Sequence, residues 1–270
     1  MRRSTRRARI ATELVARVAA VATGVLLIAT STAVAAPVRF RVELGGDARP
    51  GATTSLTFRL RVSSELPPVT EFRVLTPSGM DLSTTGLGVA TCVRPLSEVL
   101  DVMHTLYHRP CPANSLMGTG SATAQLRFDP EDMYSGAARI ALYAGESVGD
   151  KPGLLVIADT FRPMRTQFSY QGYLYVPPRG FGLGMAIKVT PIPKPPFGAP
   201  VALSSFRLVV GRASLRYTRV RHGRRETYRP RAIPVPRTCS RHGLGFRAIV
   251  RFAGGLRLVQ DARAACPHER

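Results

Sequence analysis

Four groups of residues in this chain have types and spacing that suit chemistry. The first, Gly145-Glu-Ser-Val-Gly149, matches Gly-x-Ser-x-Gly. In serine hydrolases that pattern lifts a nucleophilic serine onto a strand–turn–helix elbow. A strand-like run, 138–144, does precede it. Asp150-Lys-Pro-Gly153 comes directly after it, and a second strand-like run begins at residue 154. Pro152 and Gly153 leave no room for the helix an elbow requires. The motif therefore reads as a hairpin loop, with Ser147 catalytically idle. The alternative is a secreted serine hydrolase using Ser147, which needs a parallel sheet and a helix after 149.

The second group is His104 and His108, spaced i, i+4, with Asp101 one turn earlier. Such a face suits a zinc ion, but residue 105 is Thr, where a zinc protease carries its general-base Glu. The two read as ordinary histidines, and no metal or cofactor is expected. Gly180-Phe-Gly-Leu-Gly184 opens no helix and is no phosphate loop. The carboxylates are scattered, with no pair suited to glycoside chemistry. The reading is of a protein that is not an enzyme.

Third are the cysteines, Cys92, Cys111, Cys239 and Cys266. An even count in an exported chain implies two disulfides, with three pairings open. Cys92–Cys111 with Cys239–Cys266 is favoured because each pair closes a short stretch. Each bridge is worth about 3 kcal/mol by restricting the unfolded chain. No Cys-x-x-Cys pair supports a thiolate metal site.

The fourth group is basic. Leu215-Arg-Tyr-Thr-Arg-Val-Arg-His-Gly-Arg-Arg-Glu-Thr-Tyr-Arg229 reads as a hairpin turning at His222-Gly223. Arg216, Arg221, Arg224 and Arg229 crowd it, and arginine forks grip phosphate and carboxylate well. These four are the candidate polyanion-binding residues. The same charges could instead blunt a sheet edge against aggregation. Charge is uneven along the chain. Residues 200–270 hold 16 Arg against three acids, net +13, whereas 36–199 hold 16 basic and 13 acidic residues, net +3. Such a field attracts polyanions, here an anionic cell-wall polymer or acidic lipid headgroups, with no specific nucleic-acid recognition. The competing explanation is compositional: three Lys against many Arg is the bias of a GC-rich genome.

The first 35 residues set the compartment. Five Arg precede residue 10, an apolar run spans 18–28, and Ala33-Val34-Ala35 offers an Ala-x-Ala cleavage site. That is the anatomy of a secretory signal peptide, and the apolar run is too short to span a bilayer comfortably. The expectation is an exported protein, secreted or cell-wall associated, cut after Ala35. No cysteine at the cleavage site suggests a lipid anchor.

Positioning of these groups falls to short β-like runs. Residues 38–44 alternate apolar and polar, and so do 53–62, with Leu56, Phe58, Leu60 and Val62 inward. Further runs lie at 69–75, 121–128, 138–144, 154–161, 167–176, 183–190, 203–210, 214–221, 225–229, 245–252 and 256–261. The spacing predicts an all-β, disulfide-stapled antiparallel β-sandwich, Ig-like or jelly-roll-like. One short helix is inserted around 96–108, where apolar residues keep helical spacing. Residues 36–270 read as a single all-β domain, with a candidate split into two lobes near 130–136. The Pro-dense 190–200 reads as a stiff crossing between strands.

Pro77-Ser-Gly-Met80, Thr91-Cys92 and Cys111-Pro-Ala-Asn-Ser-Leu-Met-Gly-Thr-Gly-Ser-Ala122 form a recognisable block. It resembles a Cys-Pro-x-x-Ser-x-Val-Gly block recurrent in secreted actinobacterial proteins of unknown function, with Met117 at the usual Val. The C-terminal layout is similar too, with Pro236-Arg-Thr-Cys239, Phe252-Ala-Gly-Gly255 and Cys266-Pro267. The resemblance covers most of 65–267. It implies a Cys-bridged exported β-protein and brings no activity or site residue with it. The overall expectation is an exported cell-envelope or extracellular protein with a binding or structural role. A domain that folds only beside a partner, with no ligand, is a third reading.

Overall fold

The period-two pattern of the sequence becomes a run of antiparallel strands in the computed structural model. It describes residues 36–267 except 47, 82–89, 94–110, 128–132, 163–165, 190–200, 212–216 and 229–232. The strands are β1 (Val38–Leu44), β2 (Thr53–Thr54), β3 (Leu56–Val62), β4 (Val69–Pro77) and β5 (Leu116–Arg127). Then come β6 (Met133–Val148), β7 (Lys151–Arg162), β8 (Thr166–Tyr175), β9 (Phe181–Lys188) and β10 (Val201–Val210). The last are β11 (Tyr217–Arg221), β12 (Arg224–Tyr228), β13 (Ile233–Pro234), β14 (Leu244–Phe252) and β15 (Arg257–Ala264).

Eleven of these join one sheet in the order β1-β3-β10-β5-β6-β7-β8-β9-β4-β14-β15. Every neighbouring pair is antiparallel. The outermost strands of that order, β1 and β15, lie against one another. The sheet therefore rolls up with one face inward, the natural end of accumulated strand twist. The fold is all-β, antiparallel and stapled by two disulfides, as the sequence implies. Its two packed layers are opposite walls of one continuous sheet, because no break in pairing separates them.

Alternation explains the inside. β1 and β3 send Val38, Phe40, Val42, Leu56, Phe58, Leu60 and Val62 inward, and all seven are buried. Aromatic rings join walls that are not neighbours in the sheet. Phe72 of β4 meets Phe40 of β1 at 6.4 Å and Phe206 of β10 at 5.8 Å, both edge-on. Phe58 of β3 meets Phe246 of β14 at 6.4 Å. Edge-to-face contacts at these separations add to simple area burial.

The interior is not filled everywhere. Inward positions on β5, β6 and β7 are small at one level, with Ala122 opposite Ala138 and, one row away, Ile140 opposite Ala158. A cavity of about 130 Å³ results, bounded across the barrel by Leu60, Phe72 and Ile187. Left empty, a void of that size costs about 3 kcal/mol.

Tyr170 borders this cavity. Burial pushes its phenol from 10.0 up to about 12. The folded state thus favours the neutral phenol, so this stabilisation is complete below pH 10 and is lost as pH rises towards 12. We expect unfolding free energy to fall across that window by up to about 3 kcal/mol. Tyr170→Phe should flatten the fall in a denaturant titration at successive pH values.

Both bridges are in the favoured pairing. Cys92–Cys111 has α-carbons 5.1 Å apart and Cys239–Cys266 has them 6.0 Å apart. The Cys92 N–H donates to the Ala144 carbonyl at 2.8 Å. Cys92 packs with Leu155, Ile157 and Cys111 in a cluster of its own beside the main core. The first bridge thus sits against the β6–β7 wall, and the second ties residue 239 to the chain just beyond β15. The two disulfides point to an oxidising, extracytoplasmic environment. No helix among the described residues is long and apolar enough to cross a membrane.

Several expectations shift. The run at 53–62 divides, with Thr53–Thr54 pairing apart with Ile233–Pro234. The strand expected at 121–128 starts at Leu116, and that at 138–144 extends from Met133 to Val148. The helix expected at 96–108, the signal peptide at 1–35 and the crossing at 190–200 lie outside the described residues. β5 and β6 pair with each other on either side of 128–132, up to Arg127 opposite Met133.

Candidate anion-binding face

The outward positions of β1 and β3 are mostly arginines. Arg39 stands opposite Arg61, and Arg41 opposite Arg59. β10 then pairs with the free side of β3, setting Arg207 against Arg59. The row continues across β5 and β6 through Ser121 to Arg139. Neighbouring strands are about 4.8 Å apart, and alternate residues along a strand about 7 Å. Six exposed arginines therefore form a lattice over five strands. Glu43 answers Arg59, bonded to it at 3.2 Å, and Arg139 stands opposite Asp159 of β7. Among the described residues, Arg39, Arg41, Arg61 and Arg207 have no ion-pair partner.

Beside Arg207 the surface dips. The depression, about 400 Å³, is lined by Ser55, Thr57, Thr119 and Ser121 with Arg207. Four hydroxyls and a guanidinium offer donors to oxygen-rich anions.

Several cations on the other wall have partners. On β4, Arg73 donates to Glu71 at 2.9 Å, and Arg251 of β14 approaches the same carboxylate at 3.2 Å. Arg247 grips Asp261 through two bonds, 2.7 and 3.0 Å, and lies over the Phe181 ring at 5.3 Å. Arg73 sits over Tyr175 at 5.8 Å and Lys151 over Tyr173 at 5.0 Å. Hydrogen bonding from Arg247 holds the Asp261 carboxyl below its usual range. Arg73, Arg247, Arg251 and Lys151 are thus neutralised or capped by rings, as Arg59 is by Glu43. Among the described residues Arg39, Arg41, Arg61 and Arg207 are bare, and so are Lys188 on β9 and Arg257 and Arg263 on β15. Directly opposed like charges destabilise a sheet, so the bare lattice costs stability.

The basic hairpin forms at the residues the sequence marks. β11 and β12 pair from Tyr217–Tyr228 to Arg221–Arg224. His222 and Gly223 both take positive φ, 49° and 75°, as a type I′ turn requires. Arg221 and Arg224 are exposed and opposed beside that turn. Arg216 and Arg229 lie outside the described residues, so a cluster of all four is not on view. The pair β11–β12 is a separate two-stranded ribbon. Its charges therefore do not guard an edge of the large sheet, whose edges meet each other. Asn114 fastens the ribbon, its Oδ1 accepting the Thr218 N–H at 2.9 Å while its amide donates to the Thr218 carbonyl.

Ser147 is exposed in a bulge at the end of β6. Gly145 pairs with Gly153 and Val148 with Lys151, so Glu146 and Ser147 together face Pro152. A Cβ on residue 153 would come within 1.5 Å of the Glu146 carbonyl oxygen, so only glycine fits. The chain then turns through Gly149 into β7, a strand where the elbow needs a helix. We expect a fluorophosphonate probe to leave Ser147 unlabelled; a covalent adduct there would restore the hydrolase reading. His104, His108 and Asp101 lie outside the described residues. Among the described residues, no three His, Cys, Asp or Glu side chains gather as a metal site.

Counting charge by segment passes over the β1–β3 arginines, because the acids of 36–199 offset them in the sum. Their signal in the sequence is the placing of Arg39, Arg41, Arg59 and Arg61 at alternate positions. Comparison with known proteins adds no relative: no family profile, curated protein or solved structure matches this chain.

Proposed function

We propose that this chain is exported and acts outside the cytoplasm as a non-catalytic envelope protein that holds an anionic wall polymer. The observation that carries this reading is the row of arginines, unpaired among the described residues, on adjacent strands β1, β3 and β10. Arginines on β4 and β14 have carboxylate or aromatic partners, while Arg39, Arg41, Arg61 and Arg207 face solvent in register. A lattice with about 5–7 Å spacing in two directions matches closely spaced charges on a flexible polymer. The exposed Arg221–Arg224 pair adds a second basic point. The signal-peptide pattern, the two disulfides and the resemblance to secreted actinobacterial proteins support the exported setting.

Titration of the protein with sodium polyphosphate at several salt concentrations tests the reading. Affinity should fall steeply as salt rises, because each neutralised charge releases a counterion. Absence of binding at low ionic strength, or binding indifferent to salt, would reject it.

A further inference from the structure

The interior cavity plays no part in anion binding and has a chemistry of its own. Its walls come from β3 to β10, and none of its lining residues is Asp, Glu, Lys, Arg or His. Phe72, Phe168, Tyr170 and Phe206 surround a floor of alanines at 122, 124, 138 and 158. Pro68 just before β4, Val189 just after β9 and Leu203 near the start of β10 also line it. The space thus reaches the rim of the barrel. Paired strands form its walls, so it exists before anything enters. Protein interiors are ordinarily filled to crystal-like density. An apolar void of similar size, about 150 Å³, stays dry and accepts benzene.

We propose that this cavity, about 130 Å³, binds an uncharged hydrocarbon group of roughly six carbons, either an aromatic ring or the end of an acyl chain. A charged group would lose its hydration with no counter-charge to replace it. Tyr170 is neutral in the physiological range like any phenol, and burial only widens that range, so no lining residue brings a charge to the site.

The test is methyl NMR of the full chain during addition of benzene or 1-hexanol. Methyl signals of Val69, Ile140, Val156 and Ile187 should shift and saturate, while Ile249 on the outer face should not. Saturation by hexanol alone assigns an acyl chain, by benzene alone a ring, and by both a site selective for size. Ala138→Leu should fill the space and weaken binding at least tenfold. Ala158→Val serves the same purpose if that variant does not fold. Polyphosphate binding should survive in either variant, so this proposal and the anion-binding one fail separately. Failure of both probes to shift the lining methyls, or shifts that persist in both filled variants, would overturn the proposal.

Discussion

Replacing Arg41, Arg61 and Arg207 by Ser should abolish most polyphosphate binding at low salt while raising the protein's stability. The two effects have one cause. These side chains stand on adjacent strands β1, β3 and β10 with no carboxylate partner among the described residues. Bringing like charges together on a sheet costs a few tenths to about 1 kcal/mol per opposed pair, and the substitutions remove that repulsion. Loss of three contacts should reduce the slope of log affinity against log salt by about 2 to 3. A Lys version should keep much of the slope but bind more weakly, because the point charge survives while the bidentate fork is lost. Arg221→Ser with Arg224→Ser measures the hairpin separately. If that pair removes the binding and the lattice variant does not, the functional face is the ribbon and the lattice assignment is wrong.

Phe72→Ala should cost about 3–5 kcal/mol in equilibrium unfolding, towards the upper end for a single truncation. The ring is buried, touches Phe40 and Phe206 across the core, and forms one side of the cavity. Its removal joins new empty space to space already there, so the surroundings cannot collapse to recover the contacts. Against a total stability of about 5–15 kcal/mol, that is enough to unfold much of the population on mild heating. Val259→Ala on β15, a residue 40% exposed, should change stability by less than about 0.5 kcal/mol. A loss below about 1.5 kcal/mol for Phe72→Ala would mean that β4 and β10 do not pack face to face as described.

The legible parts of this fold are those where side chains carry the pattern. Val38–Leu44 and Leu56–Val62 alternate large apolar residues with arginines, and that alternation specifies both the strands and their buried faces. His222-Gly223 announces its turn. The start of β5 was hidden because Gly118 and Gly120 occupy inward positions where alternation would otherwise show. Small residues at Gly136 and Ala138 hid the first half of β6 in the same way. Neither glycine nor alanine signals a buried face, and that stretch is also where the cavity forms. The proposed anion-binding face is half legible. The arginines of β1 and β3 repeat with period two, but nothing local says that Arg207 will join them. That neighbourhood is created by pairing residues 56–61 with 205–210, a long-range choice made by the whole barrel. Arg73, Arg247 and Arg251 look no different in the sequence, and only their carboxylate and ring partners set them apart.

The strand order also has a consequence for when this chain can fold. Between β1 and β4, local pairing supplies a single ladder, β1 with β3. The other side of β3 waits for β10, and β4 waits for β9 and β14. The seam closes only when β15 arrives beside β1. A chain emerging N-terminus first would leave one side of β3 open until β10 had followed, and both sides of β4 open until β9 had. Contacts this distant in sequence make folding slow, since loop closure must precede the reward. The β5–β9 meander can pair as it forms, but closure of the sheet waits for Arg257–Ala264, almost the last of the described residues.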